Sequence, residues 1–335
     1  MTRRKFVKFA GTALAAAAVP GLFEFAPAEA AAGSAVFGGI TPNDKFYITS
    51  YGDTPKIDAS AWRLKIHGLV ENPVELDYAA IRQLPAIKEV LTLECIGNPP
   101  GGWLISNAEW AGPKLRPILD RARIQPKAVY AAMRAADGYY TGIPVDELLR
   151  AENFLPYLMN GVPLPPAHGY PLRIFIPGKY GMKQPKWITE INFVDHEFTG
   201  YLEARGWSNS AWRKVNSGFF APRPAAGLLS FVAPAPTVKT PAYIWGWALA
   251  GPSGIKRVEI STDGGKMWRD AGVAENRSPY IWTVWKYRFA PKTGGSYDIR
   301  VRATSGDGIT QPVHGPQEGA GSSSQPTLQI NATPS

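Results

Sequence analysis

Cys95 is the single cysteine in 335 residues. It stands where the apolar run Leu91-Thr92-Leu93-Glu94 gives way to Ile96-Gly97-Asn98-Pro99-Pro100-Gly101-Gly102. A run of that kind ending on a Gly/Pro turn predicts a buried strand that delivers one thiol to the start of a loop. A thiolate held there is a nucleophile or a soft metal ligand. A thiol sealed among apolar neighbours would instead be inert packing. Residue type alone does not choose between them.

A second stretch carries charge where charge is expensive. His168-Gly169-Tyr170-Pro171-Leu172-Arg173-Ile174-Phe175-Ile176-Pro177 reads as an apolar strand with an arginine inside it. A buried guanidinium calls for an anion. The next segment, Gly178-Lys179-Tyr180-Gly181-Met182-Lys183-Gln184-Pro185-Lys186-Trp187, is a basic glycine-bearing loop. Glycines let backbone amides approach an anion, and Lys179, Lys183 and Lys186 add point charges. A phosphate-like ligand is one reading. An Arg173 salt bridge beside a solvated lysine loop is the other.

These groups need elements to hold them. Trp62 to Val70 alternates at strand period, and Glu71-Asn72-Pro73 closes it as a turn. Asp77 is placed to cap a short helix from Tyr78 to Leu84 ahead of Pro85. Lys114 to Arg123 predicts a helix with Pro117 near its start, and Ala128 to Ala135 a strand. Tyr139-Tyr140-Thr141-Gly142-Ile143-Pro144 leads into a short helix from Val145 to Arg150. Asn160-Gly161 supplies positive-φ residues for a hairpin, and Ile188 to Val194 is a further strand. Asn216 to Pro236 turns rich in Pro, Ala and Gly and reads as a linker. Beyond it Ala242–Ala248, Ile255–Ser261, Tyr280–Phe289 and Ser296–Thr304 predict an immunoglobulin-like sandwich of about 100 residues.

The formal net charge is +9, yet the lysines and arginines do not cluster on a helix or interleave with an RNA-binding aromatic pattern, so no nucleic-acid partner is expected. There is no Walker loop, zinc-type Cys/His cluster, Cys-x-x-Cys-His haem motif or Gly-x-Ser-x-Gly elbow. Thr2-Arg3-Arg4-Lys5-Phe6-Val7-Lys8, an Ala-rich apolar segment from Phe9 to Val19, and Ala28-Glu29-Ala30 resemble a twin-arginine export signal over residues 1–30. That implies a periplasmic protein exported folded, often with its cofactor inside. One cysteine makes no internal disulfide, and a thiol kept in an oxidising compartment is best capped.

From Thr41 onward the chain resembles the sulfite oxidase family of molybdenum-cofactor enzymes. Leu93-Glu94-Cys95-Ile96-Gly97-Asn98 is similar to the segment whose cysteine ligates molybdenum. His168 to Arg173, Gly178-Lys179-Tyr180-Gly181 and Lys186-Trp187 resemble the pterin-phosphate segment. Trp245-Gly246-Trp247 and Ser261-Thr262-Asp263-Gly264-Gly265 resemble the C-terminal dimerisation domain. The resemblance implies an α+β architecture, with a molybdopterin-binding domain over 40–225 and an all-β immunoglobulin-like dimerisation domain over 230–331.

The same resemblance implies Cys95 as metal ligand, and Asn43, Phe46, Tyr47, His168, Arg173, Gln184, Pro185 and Lys186 as pterin contacts. Arg173 and Lys186 would face the phosphate. Tyr139 matches an active-site tyrosine whose phenol can hydrogen-bond substrate. The expected activity is oxygen-atom transfer on a small, sulfur-containing or anionic substrate, with sulfite oxidation as the family default. Electrons would leave to a cytochrome or membrane partner, since the chain has no haem motif, and the chain would pair as a homodimer through its C-terminal domain. Sulfoxide reduction of the methionine-sulfoxide type and a non-enzymatic exported binding protein are the alternatives. One departure concerns the substrate: where sulfite oxidases carry an arginine beyond the aromatic pair, this chain has Ile48-Thr49-Ser50-Tyr51. Lys45, Lys179 and Arg277 are the candidate replacements.

Overall fold

The alternating strand Arg63–Gly68 buries Leu64 and Ile66 and turns its polar residues outward, as a half-covered strand should. The computed structural model describes residues 39–222, 235–274, 278–316 and 318–334. The export signal expected over 1–30, and Arg277, lie outside them. Arg63–Gly68 sits inside a five-stranded sheet in the order Val74–Asp77, Arg63–Gly68, Ile188–Val194, Tyr130–Ala135, Tyr140–Pro144. Only the Arg63–Gly68/Ile188–Val194 pair is parallel. Helix Tyr78–Gln83 starts where Asp77 accepts the Ala80 amide at 2.7 Å, and helix Arg116–Ala122 buries Ile118 and Leu119. These side chains, with Met133, Ile143 and Ile191, form one apolar core. Each contributes about 1.5–3 kcal/mol on burial.

The strand leading to the cysteine, Ala86–Glu94, pairs along its whole length with Ile105–Pro113. The sheet continues through the hairpin Leu158–Met159/Val162–Pro163, whose turn uses positive φ at Asn160 and Gly161. The chain's C-terminal part is a sandwich of a four-stranded and a five-stranded sheet. Ile244, Ala248 and Trp285 from one face meet Val258, Val301 and Ile330 from the other.

Two expectations need correction. Asn216–Ala221 is not linker: it pairs antiparallel with Ala242–Leu249 as an edge of the sandwich. Residues 223–234 lie outside the described ones. Arg173 is not on a strand either. Its amide donates to Pro156 O, the next amide to Pro185 O and the next to Phe154 O. The segment threads between two neighbouring stretches in irregular conformation, because consecutive residues bond to different partners and no ladder forms.

The sandwich seats on the cysteine strand. Thr92 N donates to Tyr280 O at 3.0 Å, and Trp282 N donates to Thr92 Oγ1 at 2.9 Å. Ile105 joins Trp247, Leu249, Trp282 and Val284 in an apolar cluster between the domains.

Candidate active site

Cys95 emerges one residue past its strand. Its amide donates to Leu104 O at 2.9 Å, and its carbonyl accepts the Asn98 amide at 3.0 Å, so a tight loop fixes the thiol-bearing backbone. The thiol is half-buried on the wall of a cleft of about 870 Å3, counting its open mouth. The cleft has two chemically different sides. Phe46, Tyr47, His168, Arg173, Gln184, Pro185 and Lys186 line one, and Tyr51, Ile96, Tyr139, Met182, Tyr201, Leu202 and Trp207 line the other.

On the polar side Arg173 is 2% exposed. Nη1 donates to His168 O at 3.2 Å and Nη2 to Gln184 O at 3.4 Å, while Nε has no partner. The guanidinium lies 5.1 Å over the Trp110 ring, and among the described residues no carboxylate pairs with it. Burial lowers its pKa to about 10. Lys186 turns into the same cleft from a backbone that continues with Trp187 at φ 53, a costly conformation for a side-chain-bearing residue. The Trp187 indole holds it by donating to Pro166 O at 2.8 Å. Lys186 Nζ donates to Thr49 O, Ser50 Oγ and Ala167 O at 2.8, 3.2 and 2.9 Å. Burial and then the charge of Arg173 push it down to about 7. Gly169, at φ 114, lets the two cations converge: a Cβ there would meet Arg173 Cβ at 3.1 Å and Lys186 Cα at 3.3 Å.

His168 is 3% exposed, and burial lowers its pKa to about 4, so the ring is neutral. Nε2 faces Asn43 O at 3.0 Å and donates to it, which leaves Nδ1 as the acceptor. Phe46 packs edge-on to His168 and stacks with Tyr47. Burial holds the Tyr47 phenol well above its ordinary range. Asn43 does not line the cleft: its side chain donates to Met159 O and accepts from Asn160, so it braces the segment that carries Phe46 and Tyr47. Gln184 is spent similarly, donating to Lys179 O and accepting the Ile176 amide. It shapes the wall of the cleft.

The loop lysines depart from expectation. Lys179 pairs with Glu147 and sits 4.0 Å over the Trp212 ring, with burial lowering it to about 8. Lys183 pairs with Glu203 and donates to Gly142 O and Asn209 Oδ1. Both face away from the cleft, because each finds a carboxylate distant in sequence. Lys45 meets Asp44 at the surface. Neither Lys45 nor Lys179 replaces the missing arginine.

On the aromatic side Tyr51 packs 4.5 Å from Tyr201 and 6.0 Å from Tyr139. The Tyr139 hydroxyl donates to Met182 O at 2.7 Å. Burial, then Glu203 and Asp137, hold this phenol well above its ordinary range, so it keeps its proton. Asp137 also lines the cleft and accepts the Tyr139 amide at 3.0 Å. Tyr51, Tyr201 and Trp207 carry no motif, and only the folded chain brings them together.

A thiol, a lysine, a neutral imidazole and a buried arginine with no carboxylate partner among the described residues meet around one cleft, and on this pair of domains they fit a molybdopterin-binding oxidoreductase. Residues 51–202 match the model of the oxidoreductase molybdopterin binding domain, and residues 221–318 that of the Mo-co oxidoreductase dimerisation domain. Sulfite oxidase of Arabidopsis thaliana is 30% identical over 278 residues, 69% of this chain and 70% of that one. Nitrate reductase [NADPH] of Aspergillus niger is 30% identical over 292 residues, 72% of this chain and 33% of that one. The crystal structure of the sulfane dehydrogenase SoxCD from Paracoccus pantotrophus has the same fold, with a TM-score of 0.76 and 22% identity over 91% of this chain and 83% of that one. The chain therefore belongs to the sulfite oxidase family of molybdenum-cofactor oxidoreductases, and its cofactor is Mo-molybdopterin.

The residues fit that group. Two adjacent cations with depressed pKa values, Arg173 having no carboxylate partner among the described residues, are set up for a phosphate. A thiol opens onto the same cleft as a soft ligand. Membership in an enzyme family sets aside the non-enzymatic binding protein.

Proposed function

We propose that this is an exported, periplasmic enzyme that transfers an oxygen atom between its molybdenum cofactor and a small sulfur compound. The sulfite oxidase relatives support sulfite oxidation to sulfate as the first reading. The observation that carries the proposal is the two-sided cleft with Cys95 on its wall. Cys95 would hold the metal, Arg173 and Lys186 the phosphate, and His168, Phe46, Tyr47, Gln184 and Pro185 would form the pterin walls, with Asn43 bracing them. When bound, the cofactor supplies a two-electron centre that gives or accepts an oxygen atom. Tyr139 holds a proton beside the aromatic side, and Tyr201 and Trp207 limit water there. The chain has no haem motif, so electrons pass to a separate carrier. The C-terminal domain would join two copies as a homodimer.

A second reading, reduction of an organic sulfoxide, is favoured by the substrate side itself. Among the described residues its lining is mainly aromatic and aliphatic, with one carboxylate, Asp137, and no cation besides the two on the cofactor side. A sulfite anion gains little there, whereas an uncharged sulfoxide with an apolar arm finds contact area. Steady-state assays on the holoenzyme decide between them. Sulfite would be oxidised with ferricyanide or cytochrome c as acceptor, and sulfoxides reduced with a reduced viologen. Turnover of neither class, with one molybdenum bound per chain, would refute both readings.

A further inference from the structure

Directly before Cys95 stands a carboxylate that the oxygen-transfer reading does not use. Glu94 is 1% exposed and sits inside the protein behind the thiol-bearing backbone. Its Oε1 accepts from Asn98 Nδ2 at 3.1 Å and from Asn216 Nδ2 at 2.8 Å, while Oε2 has no partner. Asn98, also 1% exposed, closes the cysteine loop. Its amide donates to Cys95 O, and its Oδ1 accepts the Leu104 amide at 3.0 Å. Leu104 O in turn accepts the Cys95 amide. So the side chain of Glu94 fixes Asn98, and Asn98 fixes the backbone on both sides of the thiol.

The other end of this network belongs to the sandwich. Asn216 is fully buried on the strand that pairs with Ala242–Leu249. Its Oδ1 accepts the Ser217 amide at 2.9 Å and Gln311 Nε2 at 3.5 Å. Gln311 is itself locked, accepting from Ser217 Oγ at 2.6 Å and from the Ala303 amide at 2.8 Å. Both amides are thereby oriented, so Asn216 must present its NH2 to Glu94. Asn98, Asn216 and Gln311 are each held through both ends of their amides, and a buried polar network of that kind favours one geometry.

We infer that Glu94 is a positioning residue for the Cys95 thiolate and that Asn216, from the C-terminal domain, holds it in place. The sandwich is then a structural part of the metal site as well as a dimerisation module. This inference rests on the reading of Cys95 as metal ligand. Thiolate ligands are oriented by the groups behind them, and a small misplacement changes the electronic state of the metal.

The test removes the donor and the acceptor in turn in the full-length protein, both cofactor-loaded and cofactor-free. Asn216→Leu removes the donor from the sandwich, Glu94→Met removes the acceptor shared by Asn98 and Asn216, and Glu94→Gln keeps an oxygen for both amides and is the conservative variant. Two readouts are taken: hydrogen exchange of the Cys95 and Leu104 amides, and the electron paramagnetic resonance spectrum of the Mo(V) state. Asn216→Leu and Glu94→Met are expected to speed exchange of both amides at least tenfold and to shift the spectrum, and Glu94→Gln to leave both near the parent. If one of the two disruptive variants fails to fold, the other carries the test. A parental spectrum in a folded, metal-loaded Asn216→Leu or Glu94→Met overturns the inference, as does a Glu94→Gln as perturbed as Glu94→Met. Cys95→Ser serves as the separate control. A parental Mo(V) spectrum there sinks the ligand reading, whatever the exchange data show.

Discussion

The Tyr139 hydroxyl donates its proton to the carbonyl of Met182, 2.7 Å away. The phenol that the family pattern assigns to substrate is therefore engaged with the loop that carries Gly181, Met182 and Lys183. It must exchange that partner to donate to a substrate oxygen.

Tyr139→Phe thus removes two things. The folded protein is expected to lose about 0.5–1.5 kcal/mol from the missing hydrogen bond, measured by urea unfolding. Turnover is expected to fall at least tenfold with KM changed less, since proton donation acts at the reacting centre. Turnover within twofold of the parent would assign Tyr139 a bracing role only.

Cys95→Ser is expected to abolish turnover while leaving the circular dichroism of the chain unchanged. The backbone bonds of residue 95 to Leu104 and Asn98 do not involve sulfur, and a hydroxyl is a poor substitute for a soft thiolate. Turnover and the Mo(V) spectrum of the purified, cofactor-loaded variant are the check. Full parental turnover would refute the assignment.

Arg173→Met separates stability from function. The buried guanidinium has an unpartnered Nε and no carboxylate beside it among the described residues. The cofactor-free variant is expected to be at least as stable as the parent, because an apolar side chain of similar length packs there without desolvating a charge. The same variant is expected to lose the cofactor on gel filtration. A cofactor-free variant several kcal/mol less stable than its parent would contradict this account.

Lys186 gives the cofactor-free protein a pH dependence of known sign. An ordinary lysine titrates near about 10.4, and this one is lowered to about 7 by burial. Between those values the unfolded chain binds the proton that the folded chain has released, so stability rises with pH across that window. Lys179, lowered to about 8, acts in the same direction. Urea midpoints at pH 7 and pH 9 are expected to differ less in Lys186→Met than in the parent. An unchanged difference would show that Lys186 titrates normally.

Lys183 and Glu203 are 1% and 3% exposed at their side chains. Lys183→Met leaves the Glu203 carboxylate buried, with only Thr141 Oγ1 as a side-chain donor to it among the described residues, and is expected to cost about 3–5 kcal/mol. Replacing both, with Glu203→Leu as the second change, is expected to recover most of the loss. A single variant as stable as its parent would contradict this account.

Much of this architecture was legible in local pattern. Asp77 announced its helix, Asn160-Gly161 its turn, and period-two alternation the sandwich, because each depends on neighbours within a few residues. Cys95 and the Arg173–Lys186 stretch were legible as charge or thiol placed against the local grain. The fates of Lys179 and Lys183 were not, since their partners, Glu147 and Glu203, are 32 and 20 residues away and no spacing rule links them. The Arg173 segment misled for a related reason: apolar alternation signals burial, and here the burial is among loops. Tyr51, Tyr201 and Trp207 left no local trace of their shared wall.

An ammonium group has three protons to give, and Lys186 has placed all three, on Thr49, Ser50 and Ala167. Loading an anion at this residue is therefore an exchange reaction: the incoming phosphate must evict a resident oxygen. Two of the three residents belong to the segment that carries Phe46 and Tyr47 to the cleft. Seating a phosphate on Lys186 and loosening that segment's grip on the cleft are then a single event.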